Sequence, residues 1–107
     1  MSTIKKRRAV STPIVENKIL DLVISVEVRG IPHGYCDVLL QGRRCGLRAS
    51  YAVAGIFSRP NPESRKGRIF VKHQISSCDR CKEIAREEVR SRATGSMNEY
   101  MQSLSQK

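Results

Sequence analysis

The chain has no tryptophan, and its only aromatic side chains are Tyr35, Tyr51, Phe57, Phe70 and Tyr100. It has two histidines, His33 and His73, and half as many acidic residues as basic ones, 10 Asp+Glu against 20 Lys+Arg. These shortages remove most enzymatic readings. There is no serine–histidine–acid set, no glycine-rich phosphate loop and no carboxylate pair suited to a cleft, so neither catalysis nor a small-molecule substrate is expected. No apolar run approaches the ~20 residues of a spanning helix, so no membrane partner is expected either. The opening stretch MSTIKKRRAVSTP has basic residues but no apolar segment behind them, which excludes a secretory signal. The expectation is an intracellular protein, cytoplasmic or nuclear, whose thiols stay reduced.

Positive charge is present in excess. The net charge is +10 over 107 residues, a field that attracts nucleic acid first and an anionic membrane or acidic protein second. The length suits one domain with tails. A domain this short buries a modest share of its surface, so an additional staple would help it fold.

Residues 1–13 read as a flexible basic arm. Its cluster Lys5, Lys6, Arg7, Arg8 suits a nucleic-acid-binding arm or a nuclear address, and Pro13 closes it. The domain follows over 14–95. In KILDLVISVEVR (18–29), Leu20, Leu22, Ile24, Val26 and Val28 alternate with Asp21, Val23, Ser25, Glu27 and Arg29. Period two with β-branched residues predicts a half-buried strand. YCDVLL (35–40) reads as a second strand and QGRR (41–44) as a turn on Gly42. CGLRASYAVAGIF (45–57) reads as a third strand with a bulge at Gly55, and RIFVKHQI (68–75) as a fourth, after the polar loop 58–67. Ser76 and Ser77 are candidate N-caps of a helix over 79–93. Cys81, Ile84, Ala85, Val89 and Ala93 share one face of it, and Gly95 is expected to stop it. The tail, 96–107, carries Met97, Tyr100, Met101 and Leu104 at helical spacing and suits a short packing helix. The fold class is therefore α+β: a small antiparallel sheet of hairpins with one main C-terminal helix.

The four cysteines are Cys36, Cys45, Cys78 and Cys81. Cys78 and Cys81 form C-x-x-C on the first turn of the expected helix, which aims both sulfurs at one point. Free N–H groups and the positive dipole end there favour thiolate over thiol. Cys36 and Cys45 are separated by eight residues, which suits a hairpin contributing one cysteine from each arm. Gly46 after Cys45 lets backbone N–H groups turn toward sulfur. A plain register around Gly42 does not set Cys36 directly opposite Cys45, so some distortion is expected. The set points to one structural Zn²⁺ held by four thiolates in a tetrahedron. His33 or His73 is the spare ligand in place of Cys36. A redox dithiol and unliganded or disulfide-bonded cysteines are the alternatives.

A hairpin with two ligands, further strands and then a helix opening with C-x-x-C resembles a treble-clef zinc finger over about residues 35–93. The usual first half of that class is C-x2-C, from which CDVLLQGRRC departs. The resemblance implies a structural metal and a surface that binds nucleic acid or protein.

Between residues 41 and 72 there are eight basic residues and a single acid, Glu63. Arg43 and Arg44 at the hairpin tip, and Arg59, Arg65, Lys66 and Arg68 around the loop, are the expected phosphate contacts, since the arginine fork donates two bonds at once. Arg44 or Arg48 also suits neutralising a four-thiolate centre. Tyr51 and Phe57 are conceivable base-stacking residues, but their apolar neighbours favour core packing. The functional expectation is a zinc-binding, nucleic-acid-binding (DNA or RNA) regulatory protein that contacts phosphate rather than reading bases. Its size and style are those of a viral or phage protein. The alternative is a protein-binding adapter that docks on a transcription or other nucleic-acid machine.

Overall fold

The computed structural model describes residues 10–17, 20–30 and 34–105. Six strands and one long helix run in the order β1 Val10–Asn17, β2 Leu22–Gly30, β3 Leu39–Leu40, β4 Arg43–Arg44, β5 Tyr51–Pro60, β6 Arg68–Ser77, a 3₁₀ turn Asp79–Cys81, and α1 Lys82–Ser105. The main sheet is antiparallel in the order β1-β2-β5-β6, and β3-β4 forms a separate small hairpin. The α+β expectation is met.

The alternation in β2 is seen directly. Leu22, Ile24 and Val26 are buried, while Val23, Ser25 and Glu27 are only partly covered. The strand starts at Leu22 rather than Lys18, because Asp21 occupies the turn with φ 56°. β1 was not foreseen. It pairs with β2 from Val10↔Val28 to Asn17↔Leu22, with a register shift between Pro13 and Val15. Val10–Pro13, read from the sequence as the end of an arm, thus belongs to an edge strand, where a proline without an N–H is tolerated at a bulge. Lys5, Lys6, Arg7 and Arg8 lie outside the described residues.

β5 and β6 form a ten-residue hairpin in unbroken register, Tyr51↔Ser77 to Pro60↔Arg68. No bulge occurs at Gly55, which pairs with Val26 on one side and His73 on the other. Its role is close approach. A Cβ there would lie 2.6 Å from the Val89 carbonyl carbon, so only glycine lets the helix backbone lie directly on the sheet.

α1 packs across this face with Ala85, Val89, Ala93 and Met97 buried. Ile84 was expected on the packing face but is 47% exposed. A four-residue repeat of small side chains selects the face, and Ile84 lies beside it. Gly95 does not stop the helix, and residues 96–105 continue it as one element. No side chain crowds Gly95, so its cost is only its extra backbone freedom, about 1 kcal/mol. Burial offsets that: Met97 joins Leu22, Ile24, Phe57 and Ala93 in a core cluster, with Tyr100 and Met101 packed against it. The Arg59 guanidinium lies 4.6 Å from the Tyr100 ring centre. The tail is thus part of the domain. The other core cluster, around Val53 and Val89, contains Cys36, Cys78 and Cys81.

Candidate metal centre

The four cysteines come from two places. The β3–β4 hairpin pairs Leu39 with Arg44 and Leu40 with Arg43. Its two-residue turn places Gln41 at φ 52° and Gly42 at φ 84°, the pattern of a type I′ loop. The same register extends to the isolated bridge Tyr35↔Arg48. Cys36 therefore stands opposite Leu47 and Cys45 opposite Val38, with Cys36 N–H donating to Leu47 O at 2.6 Å and Cys45 N–H to Val38 O at 2.9 Å. Residues 36 and 38 share a strand face, so Cys36 and Cys45 are diagonal neighbours on one side of the hairpin. The register keeps Cys36 and Cys45 diagonal rather than directly opposite, and the expected distortion is found at Gly46. Gly46, at φ 74°, does turn its N–H inward, but to the Cys36 carbonyl at 3.3 Å rather than to a sulfur.

Cys78 and Cys81 flank the switch from β6 to helix. Ser76 and Ser77 belong to β6 and cap nothing; Ser77 Oγ donates to Cys78 O at 2.8 Å. Cys78 itself holds the N-cap position with extended backbone, φ −80° and ψ 170°. Tyr51 ties this end to β5: its hydroxyl donates to Asp79 Oδ1 at 3.2 Å, and Lys82 Nζ lies 4.8 Å from its ring centre. The hairpin is tied to β6 by Asp37 N–H donating to Ser76 O at 2.9 Å.

All four sulfurs lie within 4.8 Å of one another, and Cys45 Sγ is 3.8 Å from Cys78 Sγ. A tetrahedron with Zn–S bonds of about 2.3 Å has sulfurs about 3.8 Å apart. Cys36, Cys78 and Cys81 are buried and Cys45 is partly exposed. The donor set is thus four thiols and no oxygen, at a spacing that fits a thiophilic tetrahedral ion. His73 is not among the donors. It faces α1, with Nε2 2.9 Å from Ser96 Oγ. His33 lies outside the described residues.

Ionisation is uneven across the cluster. Burial would raise the Cys78 thiol, but the backbone N–H of Cys81 and the neighbouring thiols Cys81, Cys45 and Cys36 outweigh it and bring Cys78 down to about 7. Burial pushes Cys81 up to about 12, helped by thiolate character on its neighbours. Burial also raises Cys36, against backbone N–H groups of Cys78 and Val38 that favour its thiolate. The Cys78 thiolate is ready near neutral pH, whereas Cys36 and Cys81 need a cation to ionise there.

The expected phosphate contacts do not form one cluster. Arg43 and Arg44 are exposed on the β3–β4 hairpin beside the thiols, with Arg44 Nε 3.9 Å from Asp37. Arg65 and Lys66 are exposed in the loop joining β5 to β6, a compact turn closed by Asn61 N–H to Gly67 O at 2.8 Å. The two groups lie on separate elements, one on the small β3–β4 hairpin and the other on the loop joining β5 to β6. Arg59 is held over Tyr100. Arg68 is committed to the fold: its guanidinium donates to Asp21 Oδ2 at 2.6 Å, to Asp21 O at 2.7 Å and to Ser58 Oγ at 2.7 Å. Phe57 is core, 1% exposed. Two exposed aromatic rings are given no role in the sequence reading, Tyr35 at 66% and, on β6, Phe70 at 56%. Strand parity was the available signal, because Ile69, Val71 and Ile75 set the inward phase of β6.

Comparison of the chain with family models, with curated proteins and with solved structures returns no match. Among the described residues, no helix is long and apolar enough to cross a membrane.

Proposed function

We propose that the chain is a zinc-binding basic protein that binds nucleic acid through phosphate contacts in a regulatory role. Cys36, Cys45, Cys78 and Cys81 would hold one structural Zn²⁺. When bound, that ion supplies a cross-link between hairpin and helix and charge compensation for the thiolates. The observation that carries this reading is the convergence of four sulfurs within 4.8 Å from segments far apart in sequence. The order of hairpin pair, β-hairpin, then helix opening with the second pair supports a treble-clef-like arrangement. Its first pair is spread over a longer hairpin than C-x2-C.

Nucleic-acid binding is supported by the net charge of +10 and by the exposure of Arg43, Arg65 and Lys66. Arg43 lies on the small hairpin and Arg65 and Lys66 on the β5–β6 loop, so exposed positive charge is offered to phosphate from two elements. The test is binding of labelled duplex and single-stranded oligonucleotides across a salt series, with metal content measured in parallel. Steep loss of affinity with salt and little dependence on sequence are expected. Binding insensitive to salt would refute the phosphate reading, and metal-free protein as stable as the loaded form would refute the zinc reading. The adapter alternative predicts instead a protein partner that stays bound after nuclease treatment.

A further inference from the structure

The β3–β4 hairpin and the start of α1 enclose a groove of about 510 Å³. Leu40, Leu47 and Ile84 form its apolar walls, and Arg43, Arg44 and Arg80 stand among them. These three aliphatic side chains are 41%, 47% and 47% exposed. Single exposed leucines need no explanation, but three large aliphatic groups gathered in one groove mark a contact site. The lining contains no carboxylate. Arg44 is held loosely by Asp37 at 3.9 Å; among the described residues Arg43 and Arg80 have no ion-pair partner.

We propose that this groove docks an acidic peptide segment of a partner protein. The segment sets aliphatic side chains against Leu40, Leu47 and Ile84 and carboxylates against Arg43 and Arg80. Charge complementarity selects the occupant, because three guanidiniums without a carboxylate surround an apolar floor. Nucleic acid would satisfy the arginines but gain nothing from aliphatic walls, and the lining offers no aromatic ring for a base to stack on. A lipid surface is met by protruding side chains, whereas these line a concavity. Cys45 and Cys81 also line the groove, so the inference rests on the metal reading to hold hairpin and helix together. It does not depend on nucleic-acid binding.

The experiment is a heteronuclear NMR titration of the zinc-loaded, full-length chain with a synthetic amphipathic peptide of leucine and glutamate. Control peptides carry lysine for glutamate or serine for leucine. The expected result is shift changes confined to residues 39–47 and 80–84, with affinity falling about tenfold in Leu47→Ser and in Arg80→Glu. Metal content and thermal unfolding should stay unchanged in both. Equal binding of the control peptides, shifts elsewhere on the molecule, or no binding would overturn the proposal. So would an oligonucleotide or phosphatidylserine vesicles shifting these same residues while the acidic peptide does not. Loss of metal in a variant would report on the thiol centre instead, and Arg43→Glu, on the exposed hairpin tip, then decides the case through the same affinity change.

Discussion

Cys45 Sγ and Cys78 Sγ stand 3.8 Å apart although 33 positions separate them in the chain. Between them lie the turn after β4 and the whole β5–β6 hairpin, so the contact closes a large loop. Closing such a loop costs chain entropy, and four thiols packed together gain little of it back by themselves. An ion that binds only the folded arrangement offsets this cost, since whatever binds the native state alone stabilises it.

Elemental analysis of the purified chain should therefore find one zinc per molecule. Cys78→Ser and Cys81→Ser should each abolish it. Chelation should leave the chain folded but much less stable, the metal contributing up to about 10 kcal/mol as in small zinc domains. His73→Ala should leave the metal content unchanged, because His73 is engaged with Ser96. Retained stoichiometric zinc in Cys81→Ser would sink the assignment.

Two glycines should respond with opposite signs. Gly55→Ala places a methyl group 2.6 Å from the Val89 carbonyl carbon and should cost roughly 1–3 kcal/mol or more, as overpacking against backbone does. Gly95→Ala meets no atom and lies within α1, so it should stabilise by about 0.5–1 kcal/mol. Urea unfolding of the two variants beside the parent checks both signs.

The thiols give the metal-free protein an alkaline optimum. Cys78 is lowered from 9.0 to about 7, so its contribution is complete above pH 9 and is lost as pH falls through 7. Cys81 is raised from 9.0 to about 12, so its contribution is complete below pH 9 and is lost as pH rises through 12. Stability of the chelated chain should peak near pH 9. Thiolate ultraviolet absorbance should show a first step near pH 7 that disappears in Cys78→Ala. In the metal-loaded protein, protons compete with the ion and acidification should release it.

Arginines of similar appearance in the sequence should separate by assay. Arg68→Ala removes the bonds to Asp21 and Ser58 and should lower stability by about 1–2 kcal/mol. Arg43→Gln and Arg65→Gln, on exposed positions, should change stability by no more than about 0.5 kcal/mol. Each should instead reduce the salt slope of oligonucleotide binding by about 1. A slope unchanged in both variants would remove these residues from the interface.

Much of this was legible in the chain. The alternation of Leu22, Ile24 and Val26 identified β2, and the turn around Gly42 located the small hairpin. The repeat Ala85, Val89, Ala93 identified the helix face. The misreadings share a cause. Gly95, Gly55 and Ser77 were assigned their usual local roles of stop, bulge and cap. In each case a distant partner decided otherwise: the core cluster of Phe57 and Leu22 for the helix beyond Gly95, Val89 for Gly55, and the sheet pairing with Tyr51 for Ser77. The roles of the arginines were least legible, since Arg68 and Arg65 differ only in what the fold brings beside them.

By itself the sequence determined the class of fold, the four sulfurs that matter and the sign of the surface charge, because periodicity, residue type and charge are local properties. The tertiary structure alone decided that the small hairpin brings Cys36 and Cys45 to one face, that α1 runs on through Gly95, and that the arginines divide between separate elements. Those outcomes depend on contacts between segments remote in the chain, and no local preference encodes the distance across which such segments meet.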